Sequence, residues 1–271
     1  YPYTAGQNEE RLKNIPENNT DGKSVLSVIL GCIDLTTLEG SDTNEKIISI
    51  CQKAKTIHQI NPEMPNVAAV CFYPPFVKLA KKELEGSGVK VATVAGAFPS
   101  GQSHIDVKLQ EVKYAVDEGA DEIDMVISRG KLLEGEYQQV FDEIAAIKKV
   151  CGDVHLKVIL ETGELETVEN IRKAAEIAIN AGGDFIKTST GKVQPAAMPE
   201  AFIVMADTVR EYFDKTGMKI GLKPAGGIST PEDALQYYRI AETVAGKDWL
   251  NKDFFRIGAS RLTDRVVERL S

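Results

Sequence analysis

Eight short apolar runs recur along the chain, and each is followed by a polar turn and then by a longer stretch with helical spacing. Several runs, such as VAAVCF and EIDMVI, are almost continuously apolar, which is typical of strands buried on both faces of a parallel sheet. The runs span residues 32–35, 67–72, 90–95, 122–127, 155–160, 185–188, 220–223 and 254–257.

Helical spacing fills the intervals, and glycines follow several of the segments as helix stop signals (Gly119, Gly152, Gly182 and Gly217). Eight strands alternating with helices predict an α/β fold, a single-domain (β/α)8 barrel. An open doubly wound sheet is the alternative, but no G-x-G-x-x-G follows the first run. The helical segments span residues 43–58, 103–118, 135–150, 165–180, 199–215 and 231–244.

The N-terminal segment carries Asn, Glu, Gly and Pro in no periodic pattern. Such a segment is typical of a frayed arm or a loosely packed cap. We therefore expect an N-terminal arm over residues 1–24 and the barrel over residues 25–271.

Charge and composition exclude several classes of protein. With 32 Lys+Arg against 40 Asp+Glu, the net charge is −8, which argues against a nucleic-acid partner. No apolar run reaches the roughly 18 residues that a membrane span needs, and the polar start lacks the apolar core of a signal peptide. The four cysteines are widely spaced, as in reduced cytosolic proteins. We expect a cytoplasmic protein without a membrane partner; if it self-associates, a homodimer is the expected state.

Ionisable residues interrupt the apolar runs at the places where a barrel holds its chemistry. Asp124, Lys157, Lys187 and Lys223 lie within or at the ends of such runs. One such residue is explained by a stem that reaches solvent or by a structural ion pair. Four that converge on the carboxyl ends of barrel strands indicate a functional site.

These residue types suit imine chemistry. A lysine amine attacks a carbonyl only when neutral, and both burial and a neighbouring cation lower its pKa. Lys187 and Lys223 lie on consecutive strands, so either could lower the pKa of the other, and the residues alone do not order them. The protonated imine would stabilise a carbanion, with Asp124 placed to transfer protons. This is the equipment of a metal-free aldolase.

Two glycine-rich segments follow the seventh and eighth runs, at residues 224–229 and 258–260. Barrels commonly bind phosphate at these loops through backbone N–H groups, although tight turns also require glycine. The TSTGK segment at 188–192 fails the pattern of a nucleotide loop, and the three histidines lack metal-ligand spacing. We expect no metal and no cofactor.

Seven motifs carry a family resemblance. They are IDLTTL (33–38), VCFYP (70–74), DEIDMVI (121–127), LKVILETGEL (156–165), FIKTSTGK (185–192), GLKPAGGI (221–228) and RIGAS (256–260). In this order they resemble the deoxyribose-phosphate aldolases, class I aldolases on a (β/α)8 barrel, from about residue 30 to residue 262. The resemblance implies a metal-independent lyase of deoxyribonucleoside catabolism. It would cleave 2-deoxy-D-ribose 5-phosphate reversibly to acetaldehyde and D-glyceraldehyde 3-phosphate.

The resemblance also implies roles for individual residues. By that match Lys187 is the Schiff-base lysine, Lys223 is the cation that lowers its pKa, and Asp124 is the proton-transfer acid/base. The substrate-binding positions would be Asp34, Thr36, Cys71, Lys157, Thr188 and Lys192. The phosphate-binding positions would be Gly191, Gly226, Gly227, Gly258 and Ser260.

The chain departs from the family pattern at two places. Some bacterial members end in a tail with a terminal tyrosine, whereas the last tyrosine here is Tyr238. Either a tail is missing from this sequence or proton delivery relies on Asp124 and water. Arg261 stands where relatives often carry serine, and a cation in a first helical turn opposes the helix dipole. A bound phosphate could offset that cost, or Arg261 could point to solvent.

Other functions also fit the residues. One alternative is another phosphosugar barrel enzyme, either a different imine-forming aldolase or an isomerase that needs no neutral lysine. A second is a non-catalytic barrel that acts as a binding module, in which the lysines could be replaced without chemical consequence.

Overall fold

The chain folds as a (β/α)8 barrel, as predicted. The computed structural model describes residues 1–16 and 22–271. Seven of the eight predicted runs coincide with strands to within two residues at each end, and the eighth strand begins three residues later than predicted. The strands are β1 (Ile33–Thr36), β2 (Ala69–Phe72), β3 (Lys90–Ala95), β4 (Glu122–Val126), β5 (His155–Ile159), β6 (Phe185–Lys187), β7 (Gly221–Lys223) and β8 (Ile257–Ala259).

All strand pairs are parallel, and each strand from β1 to β6 neighbours the next along the chain, with β8 against β1. Two parallel bridges, Leu222 with Phe255 and Ala225 with Gly258, join β7 to the segment around β8 and close the barrel. The register sets Asp124 opposite Lys157 and Lys187 opposite Lys223. Neighbouring strands therefore carry these charged residues at the same height.

Helices cover the outside of the sheet with their apolar sides. The helices of the described residues are α1 (Ala5–Lys13), α2 (Lys23–Gly31), α3 (Asn44–Ile60), α4 (Val77–Glu83), α5 (Ile105–Asp117), α6 (Arg129–Leu133), α7 (Tyr137–Cys151), α8 (Val168–Asn180), α9 (Pro199–Thr216), α10 (Pro231–Ile240) and α11 (Leu262–Leu270). In α8, Thr167 caps the first turn by accepting from Asn170 N at 3.1 Å, and buried residues from Ile171 to Ile179 face the sheet. A helix of this amphipathic pattern packs on the barrel wall.

The N-terminal segment contains a helix that the sequence pattern did not indicate. Helix α1 begins with a capping box at Thr4 and is attached to α9 by Arg11, which donates to the two carboxylate oxygens of Asp207 at 2.7 and 2.8 Å. Asn8 is the one buried residue of this helix, so the helix lacks the broad apolar stripe of the others. Of the arm expected over residues 1–24, residues 17–21 lie outside the described residues, and α2 already begins at Lys23.

The interior of the barrel is unusually charged. A small apolar cluster of Leu38, Ala69, Cys71, Ala92 and Val94 fills one side. Barrel interiors are commonly packed with branched aliphatic residues. Here, charged side chains that are at most 2% exposed occupy much of the remaining space: Asp34, Glu122, Asp124, Lys157, Lys187, Lys223 and Arg256. This charged interior positions the candidate site.

No helix among residues 1–16 and 22–271 is long and apolar enough to cross a membrane.

Candidate active site

Three lysines converge on one buried carboxylate, that of Asp124. Lys157 Nζ donates to Asp124 Oδ1 at 2.8 Å, while Lys187 Nζ and Lys223 Nζ donate to Oδ2 at 2.8 and 2.7 Å. Burial by itself would raise the pKa of Asp124, but the three ammonium groups outweigh it and hold the pKa well below its usual range. Asp124 is therefore an ionised carboxylate shared by three cations.

Six of the buried groups close into a ring of alternating charge. Lys157 continues from Asp124 to Glu122, with its Nζ 2.5 Å from Oε2. Lys223 continues from Asp124 to Asp34, to which it donates. Arg256 joins the two branches, because its Nη1 donates to Asp34 Oδ1 at 2.7 Å and its Nη2 donates to Glu122 Oε1 at 2.8 Å. We call this set, Asp124, Lys157, Glu122, Arg256, Asp34 and Lys223, the charge ring.

Lys187 stands outside the charge ring and differs from its cations. The ring balances three carboxylates against three cations, so the Lys187 ammonium is the one in excess. The pKa of Lys187 is lowered, mainly by burial and further by the Lys223 ammonium, because Asp124 only partly opposes these effects. Carboxylate neighbours outweigh burial and raise the pKa of Lys157 and of Lys223. The residues alone left the two lysines unordered, and the family resemblance assigned the Schiff base to Lys187. Of the two causes considered, burial and a neighbouring cation, burial has the larger effect on the pKa of Lys187.

A cavity of about 430 Å³ opens at the carboxyl ends of the strands. Loops that follow β1, β6, β7 and β8 build its walls. Among the described residues of the charge ring and Lys187, Lys187 alone lines this cavity. It therefore connects the charged interior to the space that a substrate can enter.

One end of the cavity is built from glycine-rich loops, and all five predicted phosphate-binding residues line it: Gly191, Gly226, Gly227, Gly258 and Ser260. The chain is crowded here, because a Cβ on Gly226 would lie 2.7 Å from Ala196 Cβ and 3.1 Å from Gly191 Cα. Gly226 also has a φ of +89°, which glycine adopts readily. Helix α11 begins just beyond Ser260, so backbone N–H groups and the helix dipole favour an anion at this end.

The predicted substrate-binding residues divide into two groups. Thr36 and Lys192 line the cavity, and Lys192 Nζ lies 3.0 Å from Glu39 Oε1. Asp34, Cys71, Lys157 and Thr188 are buried and do not line it, so contact between these four residues and a substrate remains a prediction.

The structure gives these four residues other partners. Asp34 and Lys157 belong to the charge ring. Cys71 lies in the apolar cluster, where burial raises the pKa of its thiol to about 11. Thr188 Oγ1 accepts from Ala225 N at 3.0 Å and donates to Ala225 O at 3.2 Å, which fastens β6 to the loop after β7.

Several residues of the site were not predicted. Glu122 and Arg256 complete the charge ring from the amino ends of the strands, whereas the prediction considered residues at the carboxyl ends. Lys46 and Lys53 of α3 reach the cavity beside Arg261, which is exposed at its rim. The sequence could have indicated Glu122, because it lies two residues before Asp124 and side chains two apart face the same side of a strand.

The described part of the chain holds no cluster of three or more His, Cys, Asp or Glu side chains that could bind a metal ion.

Comparison with known proteins identifies the family of the chain. Residues 28–261 match the model of the DeoC/LacD family aldolases. The chain is 45% identical over 248 residues to the deoxyribose-phosphate aldolase of Homo sapiens, which covers 88% of this chain and 78% of the human protein.

Solved structures share the barrel. A structure from Coccidioides immitis, described as a candidate deoxyribose-phosphate aldolase, has a TM-score of 0.76 at 29% identity and covers 98% of both chains. A tetrameric deoxyribose phosphate aldolase from Aeropyrum pernix has a TM-score of 0.73 at 24% identity over 94% of this chain and 96% of that chain, which supports the fold. The family match spans the barrel from α2 to the start of α11, and the chain belongs to the DeoC/LacD family of aldolases.

Proposed function

We propose that the protein cleaves 2-deoxy-D-ribose 5-phosphate reversibly to acetaldehyde and D-glyceraldehyde 3-phosphate, in deoxyribonucleoside catabolism. The observation that carries the proposal is the position of Lys187, a buried lysine with a lowered pKa that borders both Asp124 and a cavity lined by glycine-rich loops. The human relative bears the name of this activity. An isomerase or a binding module would not require a lysine in this state.

The first step forms a covalent bond to Lys187. Neutral Lys187 Nζ attacks the C1 aldehyde of the substrate to form a carbinolamine, which takes up one proton from water through Asp124 and loses water to leave a protonated imine. Lys187 must first lose its proton. This loss is favoured because the charge ring has no carboxylate in excess to balance the Lys187 ammonium. Lys223 stays charged, because Asp34 and Asp124 hold its pKa above the usual lysine value. We therefore assign the Schiff base to Lys187 and the electrostatic role to Lys223.

The second step breaks the bond between C2 and C3. The C3 hydroxyl loses its proton, C3 becomes the aldehyde of glyceraldehyde 3-phosphate, and the electron pair of the broken bond moves into an enamine on Lys187. Protonation at C2 and hydrolysis then release acetaldehyde. With a pKa this low, Asp124 holds a proton only transiently, so we assign to it the relay of protons between Lys187 and water.

The glycine loops would bind the phosphate, and Gly226→Ala tests this. The new methyl group would press on Ala196 and Gly191, so we expect a clear rise in KM for 2-deoxyribose 5-phosphate, with little change for unphosphorylated 2-deoxyribose. Gly227→Ala is the matched control, because Gly227 has a similar φ of +83° but no atom within 4 Å of its Cβ position. Equal KM values for the two variants would argue against a phosphate site built by this close approach.

Metal removal should leave the reaction unchanged. The protonated imine already serves as the electron sink, so a Lewis acid has no step to perform. We expect the same kcat/KM before and after dialysis against EDTA. Loss of activity that returns with zinc would contradict the Schiff-base mechanism.

Reductive trapping decides between the candidate functions. Incubation with acetaldehyde and sodium cyanoborohydride, followed by peptide mass mapping, should add a two-carbon unit to Lys187. An adduct on Lys223 would reverse the assignment of the two lysines. An isomerase or a binding module would give no adduct at either lysine.

We also infer a cytoplasmic protein that forms a homodimer. The four cysteines are all free and buried, which supports a reducing compartment. The tetrameric structure of the Aeropyrum pernix enzyme, which has the same fold, supports self-association without indicating the number of subunits. Light scattering on the purified protein would give the number of subunits.

A further inference from the structure

We propose that Arg256 and Glu122 are positioning residues that set the proton affinity of Lys187 from the far end of the barrel, by acting through the charge ring. The proposal rests on the proposed function, since it concerns the lysine that would form the imine. Neither residue lines the cavity. Their effect must therefore pass through other groups.

The two residues lie at the amino ends of the strands, opposite the cavity. Glu122 is the first residue of β4, and Arg256 directly precedes β8. Both side chains are buried, with at most 1% of each residue exposed. Arg256 binds Glu122 through both terminal nitrogens, at 3.1 and 2.8 Å. This bidentate pair is fixed in geometry and shielded from solvent.

Two routes lead from this pair to Lys187. One passes through Asp34 and Lys223, and the other passes through Lys157; both end at Asp124, which accepts from Lys187. Every link is an ion pair inside the barrel, where screening by water is weak. Removal of a charge at the far end of the barrel therefore changes the electrostatic stabilisation of the Lys187 ammonium.

The sign of the effect follows from the charge balance. Removing Arg256 leaves the ring with one carboxylate in excess, so the Lys187 ammonium is stabilised and gives up its proton at higher pH. Neutralising Glu122 leaves one cation in excess, so the Lys187 ammonium is destabilised and gives up its proton at lower pH. Removing the charges of both Arg256 and Glu122 leaves two carboxylates and two cations in the charge ring, so its net charge is again zero.

Other charged, titratable and aromatic groups face the same positions, and none of them is substituted in these variants. Lys90 of β3 lies 3.2 Å from Glu122 Oε1 and is partly exposed. His155 of β5 is the register partner of Glu122, and the Phe185 ring of β6 lies 5.8 Å from Arg256 Cζ. Cys71 of β2 lies near Lys187, and Cys32 and Asp253 lie near Arg256, whose Nε donates to the Lys252 carbonyl oxygen. None of them is altered in the test.

The test measures the rate of trapping by acetaldehyde and cyanoborohydride as a function of pH, with the adduct mapped to Lys187. The midpoint is the pH at which the trapping rate reaches half of its maximum. Relative to the wild type, we expect Arg256→Met to raise this midpoint by about one pH unit and Glu122→Gln to lower it by about one. The double variant should return close to the wild-type midpoint. Arg256→Lys is the matched control, since it keeps the charge and loses only the bidentate geometry.

The outcomes separate the proposal from the function on which it rests. Unchanged midpoints, or shifts of the same sign for Arg256→Met and Glu122→Gln, would overturn the positioning role while leaving the Schiff base intact. Absence of any adduct on wild-type Lys187 would instead overturn the proposed function. If circular dichroism shows that Arg256→Met is unfolded, Glu122→Gln compared with Arg256→Lys decides, because only the former should lower the midpoint.

Discussion

Replacing Lys187 with alanine is expected to abolish cleavage of 2-deoxyribose 5-phosphate, with a fall in kcat/KM of at least about 10⁴-fold. Among the described lysines that meet Asp124, Lys187 alone borders the cavity, so no neighbour can replace it as the nucleophile. The measurement is a coupled assay of glyceraldehyde 3-phosphate release, together with loss of the trapped adduct.

Lys187→Met is the matched variant for this experiment. It keeps most of the side-chain volume and removes the ammonium that the charge ring leaves uncompensated. Because an unbalanced buried charge is costly, we expect the thermal midpoint of Lys187→Met to equal or exceed that of the wild type while cleavage is lost. Cleavage that survives in either variant would refute the assignment, whereas loss of activity with unfolding would point to a structural role.

The architecture could be predicted because its signal is repeated. Eight buried parallel strands gave eight apolar runs, and the regular alternation with helices left few folds of this length. The errors lie where the local pattern misleads. Phe254 and Phe255 resemble the start of a strand, but β8 begins at Ile257, and Phe255 reaches the ladder only through its bridge to Leu222. Helix α1 was missed because its attachment to Asp207 depends on a residue about 200 positions away.

The residues that line the cavity were more predictable than the charge ring beneath it. Lys187 ends β6 and the glycine loops follow β7 and β8, and the barrel brings those ends together whatever the details of packing. The charge ring depends on which ionisable side chains meet across the interior. Arg256 interrupts an apolar run just as Lys157 does, so the same criterion could have found it. Only the three-dimensional structure could show that Arg256 joins Asp34 to Glu122.

Lys223→Met is expected to shift the pH dependence of the reaction. Lys223 Nζ lies between Asp34 and Asp124, and its removal takes away a cation that lowers the pKa of Lys187. Because Lys187 Nζ and Lys223 Nζ both donate to Asp124 Oδ2, at 2.8 and 2.7 Å, the Lys223 charge is close enough to move the pKa of Lys187 by about 1–3 units. The neutral fraction of Lys187 at pH 7 should therefore fall by roughly 10- to 1000-fold. We expect kcat/KM to fall to a similar extent near neutrality and to recover in part at alkaline pH.

Two further variants give this experiment its controls. Lys223→Arg keeps the positive charge, so the acidic limb of the kcat/KM profile should stay near its wild-type position even if the planar guanidinium lowers the rate. Lys192→Met removes a partly exposed cation at the cavity rim, where water screens its charge, and should move the limb far less than Lys223→Met. An acidic limb that does not move in Lys223→Met would contradict the electrostatic role. Lys223 would then act as a proton donor to the substrate, or only as the ion-pair partner that holds Asp34 and Asp124 together.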